Sequence, residues 1–395
     1  MTNAEIIARN TAHEVGVYAR NPVAFVRARG CELWDAEGKR YLDFFAGLAV
    51  NNLGHCHPAV VEAVQAQAAT LMHASNLYHT APVGEIAALL CRYSFADRAF
   101  LCNSGAEANE AAMKLARRWG HGQPGGRYEI LATAGSFHGR TFATLTATGQ
   151  EKYHIGFLPL LPGIRLVPYD DLTAMAAAIR PETVAIMVEP VQGEGGVVVP
   201  RDGYLPGLRR LCDEQNLLLI LDEIQCGLGR TGRLWAHEHA GITPDLMTVA
   251  KALGGGLPIG AMLASARVAA AFTPGSHGST FGGNPVTCAA AAAAVQVLAA
   301  PSLLEHVRAM GGHFRARLEA LAARFPTIRQ VRGLGLMLAA ELDRPGDAIV
   351  QRCLADGLLV NCTADRVLRF LPPLVIRRTE IDEGFVILER ALAVA

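Results

Sequence analysis

Apolar and polar positions follow two different patterns along this chain. From about residue 80 to 270, short runs that are apolar at nearly every position alternate with stretches of helical periodicity. The runs are EILATA (129–134), VAIMVEP (184–190), LLLILDE (217–223), LMTVAKA (246–252) and IGAMLAS (259–265). Strands that are apolar on both faces belong to a mostly parallel sheet covered on each side by helices. Segments such as YLPGLRRLCDEQN (204–216) supply those helices. Outside this span the pattern changes. The opening stretch VAFVRARGCELWDAEGKRYLDF reads as short strands broken by turns at Gly30 and Glu37-Gly38. Pro58 suits the first turn of a helix. Toward the other end, helices near 284–300 and 302–324 precede strands in VRGLGLMLAAEL and VLRFLPPLVI. The expectation is an α/β protein with three parts: an N-terminal segment (1–55) that joins a small domain, a large domain (56–283) around the parallel sheet, and a C-terminal small α+β domain (284–395).

Composition narrows what such a fold is for. Lys plus Arg and Asp plus Glu both number 36, so no global field attracts nucleic acid or an anionic membrane. Any bound anion is held by a few placed residues. The nine cysteines are scattered, odd in number and without a C-x-x-C pair, which points away from a disulfide framework and toward a reducing cytoplasm. The first twenty residues contain no apolar stretch of signal-peptide length. The alanine-rich segment from Val286 to Ala300 is too short to span a bilayer and reads as a buried helix. His55-Cys56-His57 invites a metal, but adjacent residues rarely converge on one ion, and no metal site is expected.

Several residues can carry chemistry, each with an ordinary alternative. Ser104-Gly105-Ala106 opens a helix, and free N–H groups at a helix start bind anions such as phosphate; the same turn serves as a plain N-cap. Asp222 ends an apolar run, where an unpaired carboxylate is costly. A protonated ring nitrogen would pair with it, as would a lysine, an arginine or a turn. Gln225, three residues on, is placed to hydrogen-bond a ring oxygen or simply to sit in a loop. Lys251 ends another apolar run before Gly254-Gly255-Gly256. Desolvation there would make it a nucleophile for carbonyl carbon, while a snorkelling surface lysine is the plainer reading. Phe137 offers a flat ring for stacking. Arg140 offers a fork for a carboxylate. Arg369 lies among apolar residues and needs an anionic partner, for which Glu194 is the internal candidate. Ser279 and Thr280 add hydroxyls beside glycines, suited to a second phosphate contact.

These weak signals occur in a particular order: NSG-x-EAN at 103–109, FHGRT at 137–141, EP-x-QGEGG at 189–196, DE-x-QCG-x-GRTG at 222–232, AKALGGG at 250–256, HGST-x-GGNP at 277–285 and RF-x-PPLV at 369–375. In that order the chain resembles the class III (ω-amino) aminotransferases of pyridoxal-phosphate fold type I, from about Pro22 to the C-terminus. Within the class it is most similar to the acetylornithine aminotransferases, notably at DFFAGLAVNNLGHCHP (43–58) and at IDEG (381–384). Ala106 stands where many relatives have threonine; a backbone N–H contact survives that change.

The resemblance implies that Lys251 carries pyridoxal 5′-phosphate (PLP) as a Schiff base and moves the proton between substrate and cofactor carbons. It further implies that Asp222 pairs with the pyridine nitrogen, Gln225 with the ring hydroxyl and Phe137 with the ring face. Ser104, Gly105 and Ala106 would hold the phosphate, with Thr280 reaching it from the partner of a homodimer. Arg140 would bind the substrate α-carboxylate and Ser279 would touch substrate. Arg369 would take the second carboxylate of 2-oxoglutarate, with Glu194 neutralising it otherwise. The implied substrates are N2-acetyl-L-ornithine and 2-oxoglutarate, in arginine biosynthesis, by ping-pong kinetics. Ornithine, succinylornithine, succinyl-diaminopimelate and 4-aminobutyrate aminotransferases share this chemistry and stay open as alternatives. A nucleotide-binding α/β protein would need a G-x-G-x-x-G turn after its first strand, and none follows one here.

The lysine assignment is checked by absorption spectroscopy. Purified wild type is expected to show a visible band, and borohydride is expected to fix the bound group irreversibly to the chain. Lys251→Ala should not be labelled. A wild type with no band even after PLP is added would remove the basis of every role above.

Overall fold

The computed structural model describes residues 1–394. A seven-stranded sheet lies at its centre, in the spatial order Arg98–Cys102, Gly260–Ala264, Leu246–Val249, Leu218–Asp222, Thr183–Val188, Glu129–Thr133, Ile164–Val167. The strands are parallel except Gly260–Ala264, which runs antiparallel to both neighbours. All five apolar runs of the sequence lie in this sheet. Thr183–Val188 and Leu218–Asp222 are buried at every position, as the lack of alternation requires.

Helices cover both faces. Gly105–His121 packs on one face through a seam of small and apolar residues, among them Ala108, Ala112, Leu115 and Ala116. Tyr204–Gln215 packs on the other, with Leu205, Leu208 and Cys212 turned inward. The alanine-rich segment is a helix, Pro285–Leu298, whose Asn284 cap accepts from the N–H groups of Val286 (3.0 Å) and Thr287 (3.3 Å). It packs against the helices Pro58–Ala68 and Ala81–Arg92. Among the described residues, no single helix is long and apolar enough to cross a membrane.

Two smaller sheets complete the molecule. Ile328–Leu334, Met337–Leu342, Val367–Phe370 and Asn361–Thr363 form an antiparallel sheet beside the helices Pro301–Arg324 and Arg378–Ala393. Phe25–Arg29, Glu32–Asp35 and Arg40–Asp43 form the other, and its fourth strand is Leu358–Leu359, paired with Leu42 and Asp43. The two ends of the chain therefore share a sheet.

The helix Asn3–His13 has no counterpart in the apolar pattern. It is held by a capping box, with Thr2 Oγ1 accepting from Glu5 N–H (3.2 Å) and the Glu5 carboxylate accepting from Thr2 N–H (2.9 Å). None of its residues is buried, so hydrophobic periodicity had nothing to report.

Arg230 ties the parts together. Its side chain is fully buried without a carboxylate in ion-pair contact among the described residues, and burial pushes its pKa below the usual guanidinium value. It donates to the carbonyls of Leu336 (3.0 Å) and Pro372 (2.6 Å) and to Asn52 Oδ1. Asn52 in turn donates to Leu228 O (3.3 Å) and accepts from Leu374 N–H (2.7 Å). One side chain thus links the N-terminal segment, a loop after the central sheet and the C-terminal strands. Arg230→Ala leaves three buried acceptors and a cavity, and should cost about 3 kcal/mol or more. The check is a lowered urea midpoint; an unchanged midpoint would deny the link.

Candidate active site

Six strands of the central sheet point the same way, and the loops after five of them carry candidate residues. Ser104–Ala106 follow Arg98–Cys102, the FHGRT loop follows Glu129–Thr133, and Glu189–Gly196 follow Thr183–Val188. Asp222 and Gln225 lie at the end of Leu218–Asp222, and Lys251 follows Leu246–Val249. Carboxyl ends of parallel strands are where open α/β sheets bind ligands. Here they enclose a cavity of about 480 Å³ lined by Ser104, Gly105, Ala106, Phe137, Arg140, Glu194, Asp222, Gln225 and Lys251, a size suited to a small molecule.

Lys251 sits where the backbone turns out of its strand. Its φ is +45°, in the left-handed region, which costs an L-residue about 1–3 kcal/mol and clusters at functional sites. One turn of 3-10 helix follows, Lys251–Gly254, and Gly255 and Gly256 continue at positive φ. Burial pushes the lysine pKa below its ordinary value against the pull of Asp222, and the Arg369 guanidinium adds to the lowering. A buried amine of this kind is a better nucleophile and proton carrier than a surface lysine.

Asp222 is buried and satisfied on both oxygens. Oδ1 accepts from Ile224 N–H (3.0 Å); Oδ2 accepts from Asn109 Nδ2 (2.8 Å) and meets His138 Nδ1 at 2.8 Å. Asn109 also donates to His138 O (2.7 Å) and accepts from Thr248 Oγ1 (2.7 Å). Burial disfavours the His138 imidazolium, but the hydrogen bond and charge of Asp222 leave its pKa raised. Glu189, also buried, accepts from Phe137 N–H (3.0 Å) and Gly193 N–H (3.2 Å), so it joins two site loops. Burial is the main reason its pKa rises to about 7.

Ser104 caps the helix Gly105–His121, its Oγ accepting from Glu107 N–H (3.2 Å). Gly105 and Ala106 occupy the first turn, whose N–H groups have no partner within the helix. A Cβ on Gly105 would lie 2.8 Å from Ile224 Cδ1, so glycine lets that loop close on the helix start. Phe137 lies edge-on to Tyr153 at 5.8 Å. The Arg140 guanidinium lies 3.9 Å over the Tyr153 ring and 5.5 Å over that of Phe137; among the described residues no carboxylate pairs with it. Arg369 is buried and paired: Nη1 meets Glu194 Oε2 at 2.5 Å and Gln225 Oε1 at 3.3 Å, and Asn361 Oδ1 accepts from Nε (3.1 Å) and Nη2 (2.7 Å).

Two expected residues lie elsewhere. Ser279 Oγ accepts from Asn103 Nδ2 (3.1 Å) and Gly282 N–H (3.0 Å), and Thr280 is exposed beside a separate depression near His73 and Asn76. Four residues went unassigned in the sequence reading: Asn109, His138, Glu189 and Asn361. The first three stand inside the quoted motifs. Asn109 was legible as a polar residue among alanines one turn from the helix start. Asn361 lies in no motif, and only strand register reveals it.

The arrangement has a consistent chemical meaning. A helix start for an anion, a buried carboxylate, a flat aromatic ring and a buried amine together suit a planar ligand bearing a phosphate, a cationic ring nitrogen and a carbonyl. Comparisons with known proteins agree. The Methanocaldococcus jannaschii acetylornithine aminotransferase is 51% identical, over 94% of this chain and 93% of its own length. That of Methanothermobacter thermautotrophicus is 48% identical over the full length of both. The ornithine aminotransferase of Toxoplasma gondii, solved with PLP partially occupying its active site, superposes with a TM-score of 0.96 at 36% identity, covering 100% of this chain and 94% of that one. The family model for class III aminotransferases matches residues 15–392, and the chain belongs to that family.

Proposed function

We propose that this enzyme transfers the amino group of N2-acetyl-L-ornithine to 2-oxoglutarate, giving N-acetyl-L-glutamate 5-semialdehyde and L-glutamate, as a step of arginine biosynthesis. The observation that carries the reading is a contrast between two guanidinium groups. Arg140 faces the cavity with no carboxylate partner among the described residues, while Arg369 lies behind Glu194 with its charge already neutralised. A substrate with one free carboxylate needs only the first. An acceptor with two needs both, and takes the second by displacing Glu194. Such a gate is useless to an isomerase with a single substrate. The identity to acetylornithine aminotransferases over nearly the whole chain supports the choice of amino donor.

PLP is the cofactor, and the residues present fit it. Ser104, Gly105 and Ala106 would hold its phosphate, Asp222 its ring nitrogen, Gln225 its ring hydroxyl and Phe137 its ring face. When bound, it supplies a carbonyl for amine exchange and a ring that accepts electrons from the substrate carbon. The chain does the rest. Asp222, fixed by Asn109, His138 and Ile224, presents its carboxyl group to the cavity. Lys251 releases and takes up a proton at Nζ, which its burial favours. Arg140 orients the amino donor by its α-carboxylate. Thr280 lies outside this cavity within one chain, and Leu77, Tyr78, Phe142 and Phe281 are large apolar residues left exposed. Both facts support a homodimer in which Thr280 serves the partner's phosphate site and Ser279 borders the partner's substrate.

Substrate assays test the reading. kcat/KM is expected to favour acetylornithine over succinylornithine, 4-aminobutyrate and free ornithine, with glutamate formed only when 2-oxoglutarate is present. A strong preference for free ornithine would overturn the donor assignment. Arg140→Gln loses a charge-assisted pair and should lower kcat/KM for both substrates about 10- to 100-fold; a variant as active as wild type would exclude Arg140 from carboxylate binding.

A further inference from the structure

The strand Asn361–Thr363 lies at the edge of the antiparallel sheet and reaches the active site through two side chains. A short turn joins it to Val367–Phe370, with Ala364 and Asp365 both at positive φ (47° and 60°). The resulting register puts Asn361 directly opposite Arg369, and residues paired in this way stand side by side on one face. Asn361 Oδ1 accepts from both Nε (3.1 Å) and Nη2 (2.7 Å) of Arg369. A guanidinium has donors only, so the amide must turn its oxygen to it. Two residues on, Thr363 Oγ1 donates to the backbone carbonyl of Glu194 (2.7 Å).

The partners of Arg369 are therefore unequal. Gln225 and Asn361 are neutral, and Glu194 is its one anionic contact among the described residues. The Glu194 side chain is 26% exposed against 1% for Arg369, so the anion is the member with room to move. Thr363 anchors the Glu194 backbone, which leaves side-chain rotation as the motion that uncovers the cation. Once Glu194 has rotated away, the N–H of Nη1 that it held is open to an incoming carboxylate, while Nη1 keeps its contact with Gln225 and Nε and Nη2 remain on Asn361.

We propose that Asn361 is a positioning residue that selects for a dicarboxylic oxo acid, holding Arg369 in place with a neutral acceptor so that the cation keeps one exchangeable anion. Neutrality is the essential property. A carboxylate of the same shape at this position would neutralise Arg369 permanently and repel the second carboxylate of the acceptor. An apolar side chain would release Nε and Nη2 from their partner and let the guanidinium drift. In both cases the loss falls on the oxo acid and spares the amino donor, which meets Arg140 instead. The inference rests on the proposed role of Arg369 as the receptor of that second carboxylate.

The experiment uses the holoenzyme and three variants: Asn361→Asp, Asn361→Ala and Arg369→Ala. KM and kcat are measured for each substrate, and the dissociation constant of glutarate, a non-reacting dicarboxylate, is measured by calorimetry. Asn361→Asp is expected to raise the 2-oxoglutarate KM and the glutarate dissociation constant about 10- to 100-fold, the range for a hydrogen bond to a charged group. The KM for the amino donor should move several-fold less. Asn361→Ala should show the same split with a smaller rise, and it tests the idea independently if the aspartate variant does not fold. Unchanged glutarate binding in both Asn361 variants, or equal losses for both substrates, would overturn the proposal. Arg369→Ala separates this failure from that of the underlying reading: if it still saturates with 2-oxoglutarate like wild type, Arg369 is not the receptor and the inference falls with it.

Discussion

A carboxylate at the end of a fully buried strand is the constraint from which the site follows. Asp222 ends Leu218–Asp222, every residue of which is buried. A charge so placed costs several kcal/mol unless hydrogen bonds replace water. The fold supplies them from three directions: a side chain on the helix Gly105–His121, an imidazole on the loop after Glu129–Thr133, and a backbone N–H two residues on. Meeting that requirement fixes the helix start, and with it Ser104, Gly105 and Ala106. It also fixes the loop that carries Phe137 and Arg140. The groups that bind ligand are thus set in place by groups that stabilise one charge.

The rest of the site is organised by a division between charges that are satisfied and charges that are not. Asp222 and Glu189 are tied down by neutral donors or a histidine. Arg369 is tied down by two amides and one glutamate, whereas Arg140 rests on aromatic faces. Stacking orients a guanidinium without using its N–H groups, which leaves the fork available to solvent or ligand. The contrast arises from position. Arg369 lies in a strand, beneath a neighbouring loop, and Arg140 lies in a loop at the cavity.

Much of this was legible in the sequence because it rests on burial. Runs such as LLLILDE and VAIMVEP have no polar face and read as interior strands, so both the sheet and the placing of Asp222 at the carboxyl end of one of its strands follow. The strands Arg98–Cys102 and Ile164–Val167 are harder to read. They are the outermost strands, carry Arg98 and Arg165, and are only partly buried. The helix Asn3–His13 depends on a cap and hides nothing. Arg230 looked like part of a motif, and its task is legible only once Asn52, Leu336 and Pro372, distant in sequence, converge on it. Asn361 was invisible for a related reason: its meaning comes from cross-strand register with Arg369, and no local pattern encodes that.

The pairing of Leu358–Leu359 with Leu42 and Asp43 has a consequence for how the protein is made. A ribosome releases the strands Phe25–Arg29, Glu32–Asp35 and Arg40–Asp43 before the central sheet, yet their neighbour in the sheet, Leu358–Leu359, emerges only after it. The central sheet, built from residues 98 to 264, has all its strands available earlier. Vectorial synthesis therefore favours a nascent chain in which the middle collapses while the beginning waits, its sheet edge unpaired. Strand edges in that state are open to the wrong partners. The interval in which this chain is most exposed to aggregation is set by how long the stretch between Asp43 and Leu358 takes to appear.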